Sequence, residues 1–204
     1  MISHTTMRYR MLMNAPHYTL ALILAATNAL ADSPWPRHTI DDASQGADGV
    51  RLADFNQDGL PDIVTPWEEG GSIRIAFHPG HESVTKPWPS IEIGRVGSPE
   101  DALPIDLDND GQLDVVSACE GNTRSLYVHW APKDKSRLQD PEAWTTELFP
   151  PSENKMQFMY SVALDVNQDG RIDLVTGGKN DNAMLGWFES PENPRILKDW
   201  SWHP

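Results

Sequence analysis

A nine-residue pattern, D-x-[DN]-x-D-G-x-x-D, occurs three times in this chain, at residues 54–62, 106–114 and 165–173. Oxygen-bearing side chains at alternate positions, followed by a Gly that lets the backbone turn back, gather several oxygens around one point. A hard cation such as Ca²⁺ collects roughly six to eight oxygens in this way. Crowded carboxylates are also unfavourable unless a cation compensates their charge. Each copy is therefore a candidate calcium site.

A single copy could equally be an ordinary turn, because Asp, Asn and Gly are common wherever the chain reverses direction. Three copies with identical spacing argue against coincidence. An EF-hand is excluded by its requirement for a bidentate Glu at the twelfth loop position. That position is occupied here by Thr65, Ser117 and Thr176.

The segments around each loop favour β-strands rather than helices. They are short and rich in β-branched and apolar residues, and they cover residues 50–53 and 63–65, 102–105 and 115–117, and 162–164 and 174–176. Each loop is therefore predicted to join two strands.

The repeat extends beyond the loops. A third β-like run follows each loop, at residues 73–79, 126–132 and 184–191, and a Trp then opens a fourth segment. These Trp residues, Trp88, Trp144 and Trp200, are preceded by an equivalent Trp35, so a further outer strand is expected at residues 35–40. Four strands in a little over fifty residues are typical of propeller blades. We expect the four Trp side chains to pack between blades rather than to stack on sugars.

The loops, their flanking strands and the repeat length resemble the FG-GAP or VCBS repeats, which form β-propellers in integrin α subunits and in exported bacterial proteins. The Phe-Gly and Gly-Ala-Pro pairs of the integrin version are absent, so the chain is similar to the bacterial branch. The resemblance implies an all-β fold of about three blades, each with four antiparallel strands. Because closed propellers generally need four or more blades, we expect an incomplete ring and a chain truncated at its C-terminus.

The resemblance also implies the metal ligands for up to three Ca²⁺ ions. In each loop the first, third, fifth and ninth positions would supply side-chain oxygens, and the seventh position would supply a backbone carbonyl. The predicted ligands are Asp54, Asn56, Asp58, Leu60 and Asp62; Asp106, Asp108, Asp110, Gln112 and Asp114; and Asp165, Asn167, Asp169, Arg171 and Asp173.

Residues 1–31 have the pattern of a secretory signal peptide. Arg8 and Arg10 precede an apolar run, and Ala29-Leu30-Ala31 is a small-residue cleavage site. The repeat domain would then span residues 32–204, and the protein would be periplasmic, secreted or on the cell surface, without a transmembrane span in its mature form. Cys119, the single cysteine, cannot form a structural disulfide within the chain and is expected to be a buried, small apolar residue.

Removal of residues 1–31 leaves 14 basic and 30 acidic side chains, a net charge of −16. Such a charge argues against nucleic acid or an anionic membrane as a partner. Bound cations would relieve part of the self-repulsion. If the propeller is unclosed, its open sheet edges also predict edge-to-edge self-association.

No catalytic motif is present in the sequence, and we predict no catalytic residues. We favour a calcium-stabilised binding or scaffold module for a protein or a glycan, with the polar loops after each second strand as its binding face. Glu100, Asp101 and Tyr160 would extend this face. The alternative is a polysaccharide lyase or hydrolase built on a calcium-containing propeller. In that case Arg124, Lys179, His129 and Tyr160 would act on the sugar acid, an analogy that rests on the fold alone.

Overall fold

A computed structural model describes residues 35–204, so the predicted signal peptide lies outside the described residues. The chain divides into two compact units, residues 1–37 and 38–204. Of the first unit only residues 35–37 are described, and they form neither a strand nor a helix. All the strands below belong to the second unit.

The described residues form twelve strands. They are β1 (Arg51–Ala53), β2 (Asp62–Trp67), β3 (Ser72–Ala76), β4 (Ser90–Arg95), β5 (Pro99–Ile105), β6 (Asp114–Cys119), β7 (Leu126–Trp130), β8 (Thr145–Leu148), β9 (Gln157–Leu164), β10 (Asp173–Lys179), β11 (Leu185–Glu189) and β12 (Ser201–His203). Four short 3₁₀ helices lie between them, at Lys135–Arg137, Pro141–Ala143, Pro150–Ser152 and Leu197–Asp199. No α-helix occurs in residues 35–204.

The strands form three four-stranded antiparallel sheets, each in simple sequence order. We call them blade 1 (β1–β4), blade 2 (β5–β8) and blade 3 (β9–β12). The predicted all-β fold with three four-stranded blades is therefore confirmed. Each Asp loop connects the first and second strands of its blade, as the sequence predicted.

Hydrophobic cores lie between facing blades. Strand β5 packs on β1 and β2 of blade 1, and β9 packs on β5 and β6 of blade 2. Val64 and Ile75 of blade 1 share one core with Val115 of blade 2. Val116, the next residue along β6, points the other way into a second core with Phe188 of blade 3. The alternation of side chains along a strand thus gives blade 2 a buried apolar surface on both sides.

Two of the four repeated Trp residues pack between blades as predicted, since Trp144 and Trp200 belong to the two cores, whereas Trp88 is buried beside His78 in its own repeat. Trp88, Trp144 and Trp200 are at least nine-tenths buried, and each indole N–H donates to a backbone carbonyl four to six residues earlier. The prediction is wrong for Trp35, which is 91% exposed, and for a strand at residues 35–40. In the three blades the fourth strand pairs with the third, whereas residues 35–40 form no strand.

Candidate metal site

The three Asp loops share one backbone conformation. The Gly at the sixth position has a φ of 87° to 88° in every loop, and the space around it is open. Gly is therefore required there by its conformation and not by a close neighbour. The fourth position is also left-handed, with φ of 59° to 61° at Gln57, Asn109 and Gln168. The sequence pattern leaves this fourth position unspecified, so only the structure reveals its conformation.

Backbone hydrogen bonds hold the ligand side chains in place, as loop two illustrates. The carboxylate of Asp106 accepts from the N–H groups of Asp110 and Gly111, each at 3.0 Å. Asp108 accepts from Asp110 N–H at 3.2 Å, and Asp110 accepts from Gln112 N–H at 3.0 Å. The same four bonds recur in loops one and three. The loop therefore orients its side-chain oxygens without help from a ligand.

In loop two these oxygens converge. One carboxylate oxygen from each of Asp106, Asp108 and Asp110 lies within 4.8 Å of the other two. Two oxygens that bind the same Ca²⁺ at roughly 2.4 Å each can be at most about 4.8 Å apart. The donor set is all oxygen, which hard cations prefer. The residues of loop two thus fit a calcium ion in both chemistry and spacing.

The ninth-position Asp links two backbone segments through hydrogen bonds and is also a predicted metal ligand. Both oxygens of Asp114 accept backbone hydrogen bonds, from Leu107 N–H at 3.2 Å and from Ala131 N–H at 2.8 Å. Asp62 and Asp173 make the equivalent pairs of bonds. The carboxylate therefore joins the start of the loop to the segment after the third strand. Each oxygen has two lone pairs, so a metal can still be bound.

Burial has an electrostatic consequence at this position. Asp62 and Asp114 are almost fully buried. Desolvation raises the pKa of Asp114 to about 7, although the two backbone donors act in the opposite direction. Desolvation likewise raises the pKa of Asp62. A nearby cation would oppose this effect because it stabilises the charged carboxylate.

The loops differ in the groups that already contact their carboxylates. In loop three the Arg171 guanidinium forms an ion pair with Asp169 Oδ2, and Asn167 donates to the same oxygen at 2.9 Å. In loop two Arg195 lies 2.5 Å from Asp108. Among the described residues no cationic side chain pairs with the carboxylates of loop one. Loop three is the only one of the three whose own sequence supplies a competing cation, at the predicted seventh-position ligand.

A second polar cluster lies at the other end of the strands. One oxygen from each of Glu68, Glu100 and Glu120 lies within 4.8 Å of the other two. Lys179 of blade 3 pairs with Glu120 and lies 3.4 Å from Glu100. Desolvation and the neighbouring Glu120 raise the pKa of Glu100. Glu68 and Glu120 directly follow β2 and β6, whereas Glu100 lies in β5 and Lys179 is the last residue of β10. Charged groups from all three blades thus meet at this end of the strands.

Of the residues considered for the lyase alternative, Tyr160 is 56% exposed whereas His129 is inaccessible. His129 is fully buried between Ser117 and Thr146, each 2.9 Å from a ring nitrogen. Burial lowers the pKa of His129 to about 3, so it is neutral and shielded from a substrate. Lys179 is occupied by its acidic partners. Cys119 is also buried, as predicted, and desolvation raises its pKa to about 12.

Each of the three blades has an Asp loop of the same backbone conformation between its first and second strands. This arrangement defines a repeat module of the β-propeller kind. Residues 106–176, from the first Asp of loop two into β10, match the family model of the FG-GAP-like repeat. The resemblance inferred from the sequence is thereby confirmed for this part of the chain. No curated protein matches the chain significantly. Within residues 35–204, no helix has the length and apolar character needed to cross a membrane.

Proposed function

We propose that this protein is an exported, calcium-binding repeat module of the β-propeller kind that serves as a binding or scaffold module, with calcium in a structural role. The observation that carries the proposal is the convergence of Asp106, Asp108 and Asp110 in a loop whose backbone hydrogen bonds already fix their orientation. Calcium at this point would join the first two strands of a blade. Its role would be to stabilise the folded blade and not to act as a regulatory signal.

The loops after β2, β6 and β10 supply the proposed binding surface. Beside them, Glu68, Glu100, Glu120 and Lys179 form a charged cluster from all three blades, so its geometry depends on how the blades pack. A ligand with several hydroxyl, amide or cationic groups would complement such a surface. A protein or a glycan provides these groups.

Export is proposed from the pattern of residues 1–31 and agrees with a calcium role, because one buried cysteine leaves the chain without disulfide cross-links. The test is to express the full chain in a bacterium with a secretory pathway and to sequence the N-terminus of the product. We expect the mature protein to begin at Asp32 and to be recovered outside the cytoplasm. An intact N-terminus on a cytoplasmic product would contradict export.

The calcium proposal is tested by titrating the metal-free protein with Ca²⁺ in a calorimeter. An Asp110→Asn variant keeps the oxygen that accepts from Gln112 N–H but loses the charge, so it isolates the ligand role from the loop conformation. Asp181→Asn removes the same charge from an exposed turn outside the loops and serves as the matched control. We expect Asp110→Asn to lose one binding event or to weaken it at least tenfold, while Asp181→Asn behaves as wild type.

The absence of calcium binding in the wild-type protein would overturn the metal proposal. So would equal affinities in the two variants, because the binding would then follow overall charge rather than the loop. The binding role is tested separately, by measuring the affinity of the calcium-loaded protein for a panel of neutral and uronic-acid glycans. Release of unsaturated sugars, detected by ultraviolet absorbance on the same panel, would instead support the lyase alternative.

A further inference from the structure

The third position of the Asp loop differs between the blades. Loops one and three contain Asn56 and Asn167, whereas loop two contains Asp108. In all three loops the Oδ1 atom of this residue accepts a hydrogen bond from the backbone N–H of the fifth-position Asp, at 3.0 to 3.2 Å. One oxygen at the third position is therefore enough for the loop conformation. The second terminal atom of the side chain is what distinguishes loop two.

That second atom makes different contacts in the two kinds of loop. The amide nitrogens of Asn56 and Asn167 each donate to Oδ2 of the fifth-position Asp at 2.9 Å. Asp108 has an oxygen at this place and cannot donate to Asp110. Its Oδ2 atom instead accepts from Arg195 Nε at 2.5 Å. Because the Asp108 side chain is only 8% exposed, its charge would be costly without this partner.

Arg195 comes from the next blade, and the packing of blades 2 and 3 holds it in place. It lies in the segment between β11 and β12 of blade 3. The indole N–H of Trp200, a residue of the core between blades 2 and 3, donates to the carbonyl of the preceding Pro194 at 3.0 Å. The Arg195 guanidinium also lies over the ring of Trp130 in blade 2, 4.2 Å from the ring centroid. This cation–π contact and the core together place the guanidinium beside loop two.

The corresponding segment of blade 2 does not pair with the third position of loop one. Lys135, between β7 and β8, donates to Gln57 Oε1 at 2.7 Å and not to a carboxylate. A cavity of about 190 Å³ lies beside Asn56 and is lined in part by Gln112 and Lys135. Within residues 35–204, a cationic side chain therefore pairs with the third position only in loop two, where that position is charged.

The pairing changes the local charge of loop two. Its repeated pattern contains four Asp residues, whereas the patterns of loops one and three contain three each. One guanidinium against four carboxylates leaves a formal charge of −3, which is the charge of loop one without a cationic partner. The affinity of a Ca²⁺ loop depends on the number of its charged ligands. Arg195 therefore offsets the extra carboxylate of loop two.

We propose that Arg195 of blade 3 is an affinity-determining residue of the metal site in loop two of blade 2. Asp108 has two roles: its Oδ1 atom is the ligand, like the single oxygen of the Asn in the other loops, and its Oδ2 atom binds Arg195. The guanidinium lowers the affinity of the loop for a second cation by repulsion. Because coupling is reciprocal, bound Ca²⁺ weakens the Asp108–Arg195 pair by the same factor, which links the metal site of blade 2 to blade 3. The inference rests on the calcium binding proposed above.

The proposal is tested by calorimetric calcium titration of the whole chain, in an Asp58→Asn/Asp169→Asn background that disables loops one and three. We expect Arg195→Gln to bind Ca²⁺ about tenfold more tightly than this background, and Asp108→Asn to bind it about tenfold more weakly. The variant with both substitutions has the formal charge of the background and should bind with a similar affinity. Lys198→Gln removes a charge from an exposed position in the same segment of blade 3 and is the matched control, with no change expected.

A second measurement, urea denaturation in chelator, tests the pair without the metal. Arg195→Gln should lower the urea midpoint, because it leaves the buried Asp108 carboxylate without its partner. Adding Asp108→Asn should recover part of this loss, since an Asn amide can donate to Asp110 as its counterparts do in loops one and three. Additive losses in the double variant would contradict the Asp108–Arg195 pair.

The titration separates failure of this inference from failure of the calcium proposal. Calcium binding in the background, with an equal or lower affinity in Arg195→Gln, would overturn the role of Arg195 and leave the calcium proposal intact. Loss of the binding event in Asp108→Asn would show that Oδ2 is itself required as a ligand, which also overturns this inference alone. The absence of calcium binding in the wild-type protein would overturn both.

Discussion

Blades 2 and 3 are copies of one repeat, and their differences separate what the repeat sets from what its neighbours set. Both contain an Asp loop of the same conformation and a buried ninth-position Asp with the same two backbone partners. They differ in burial, because blade 3 covers Leu103 and Ile105 of blade 2, whereas the equivalent Val162 and Leu164 of blade 3 are exposed. They also differ in local charge, because loop three contains Arg171. The repeat thus determines the loop conformation and the hydrogen bonds of the ninth-position Asp. Side-chain burial and local charge instead differ from one blade to the next.

The largest loss of stability is expected from substitution of the ninth-position Asp that both blades share. Asp114→Ala and Asp173→Ala each leave two backbone N–H groups without their carboxylate, at a cost of roughly 2–6 kcal/mol in the free energy of unfolding. Urea denaturation with calcium and with chelator measures this cost, and the part that persists in chelator belongs to the hydrogen bonds. A loss below about 1 kcal/mol in either blade would contradict a structural role for this Asp.

Substitutions at equivalent positions of β5 and β9 should have different effects in the two blades. Ile105→Ala removes a side chain that is 6% exposed, whereas Leu164→Ala alters the equivalent position at 53% exposure. We expect a loss of about 2–4 kcal/mol for the first and less than about 1 kcal/mol for the second. Equal losses would show that Leu164 is covered in the folded protein.

A third prediction concerns pH, because His129 of blade 2 corresponds to Phe188 of blade 3. The pKa of buried His129 is about 3, below its ordinary value of 6.5, so the unfolded chain takes up the proton first. Stability is therefore present above about pH 6.5 and falls as the pH decreases, by up to roughly 1.4 kcal/mol per pH unit.

The check is to compare unfolding free energies of the wild type and His129→Asn between pH 7 and pH 5. We expect the variant to lose less stability over this range. The comparison is needed because Asp114, whose pKa is raised to about 7, contributes in the opposite sense. Parallel pH profiles for the two proteins would contradict a buried, neutral His129.

The smallest effect is expected in the third loop. Arg171→Gln removes the guanidinium that pairs with Asp169, so loop three should bind Ca²⁺ more tightly, by about tenfold or about 1.4 kcal/mol. Calcium titration of this variant measures the change, and Lys198→Gln, which removes a charge elsewhere in blade 3, is the control. An unchanged affinity would mean that Arg171 does not compete with the cation.

The local features of the fold could be predicted from the sequence because short-range patterns determine them. The Asp loops and the first two strands of each blade follow from residue spacing and β-propensity, and β7 begins at Leu126 as expected. The strand expected at residues 35–40 was wrong, because β-propensity alone does not determine whether a segment pairs with another strand.

Features that depend on distant residues could not be predicted. Arg195 contacts Asp108 from 87 positions away, and no local pattern indicates the pair. His129 was a candidate for sugar chemistry, yet packing places it in the interior. The alternation of side chains predicts that Val162 and Leu164 share a face. Whether that face is covered depends on the neighbouring blade.

Thermal unfolding with calcium and with chelator tests the central claim, that calcium stabilises each blade at the loop between its first two strands. A ligand that binds only the folded state at a hundred times its dissociation constant adds about 2.7 kcal/mol per site. For a chain of this size we expect a melting temperature at least about 5 °C higher in calcium than in chelator. The increase should be smaller for Asp110→Asn and unchanged for Asp181→Asn. Identical melting curves for the wild-type protein in calcium and in chelator would contradict the claim.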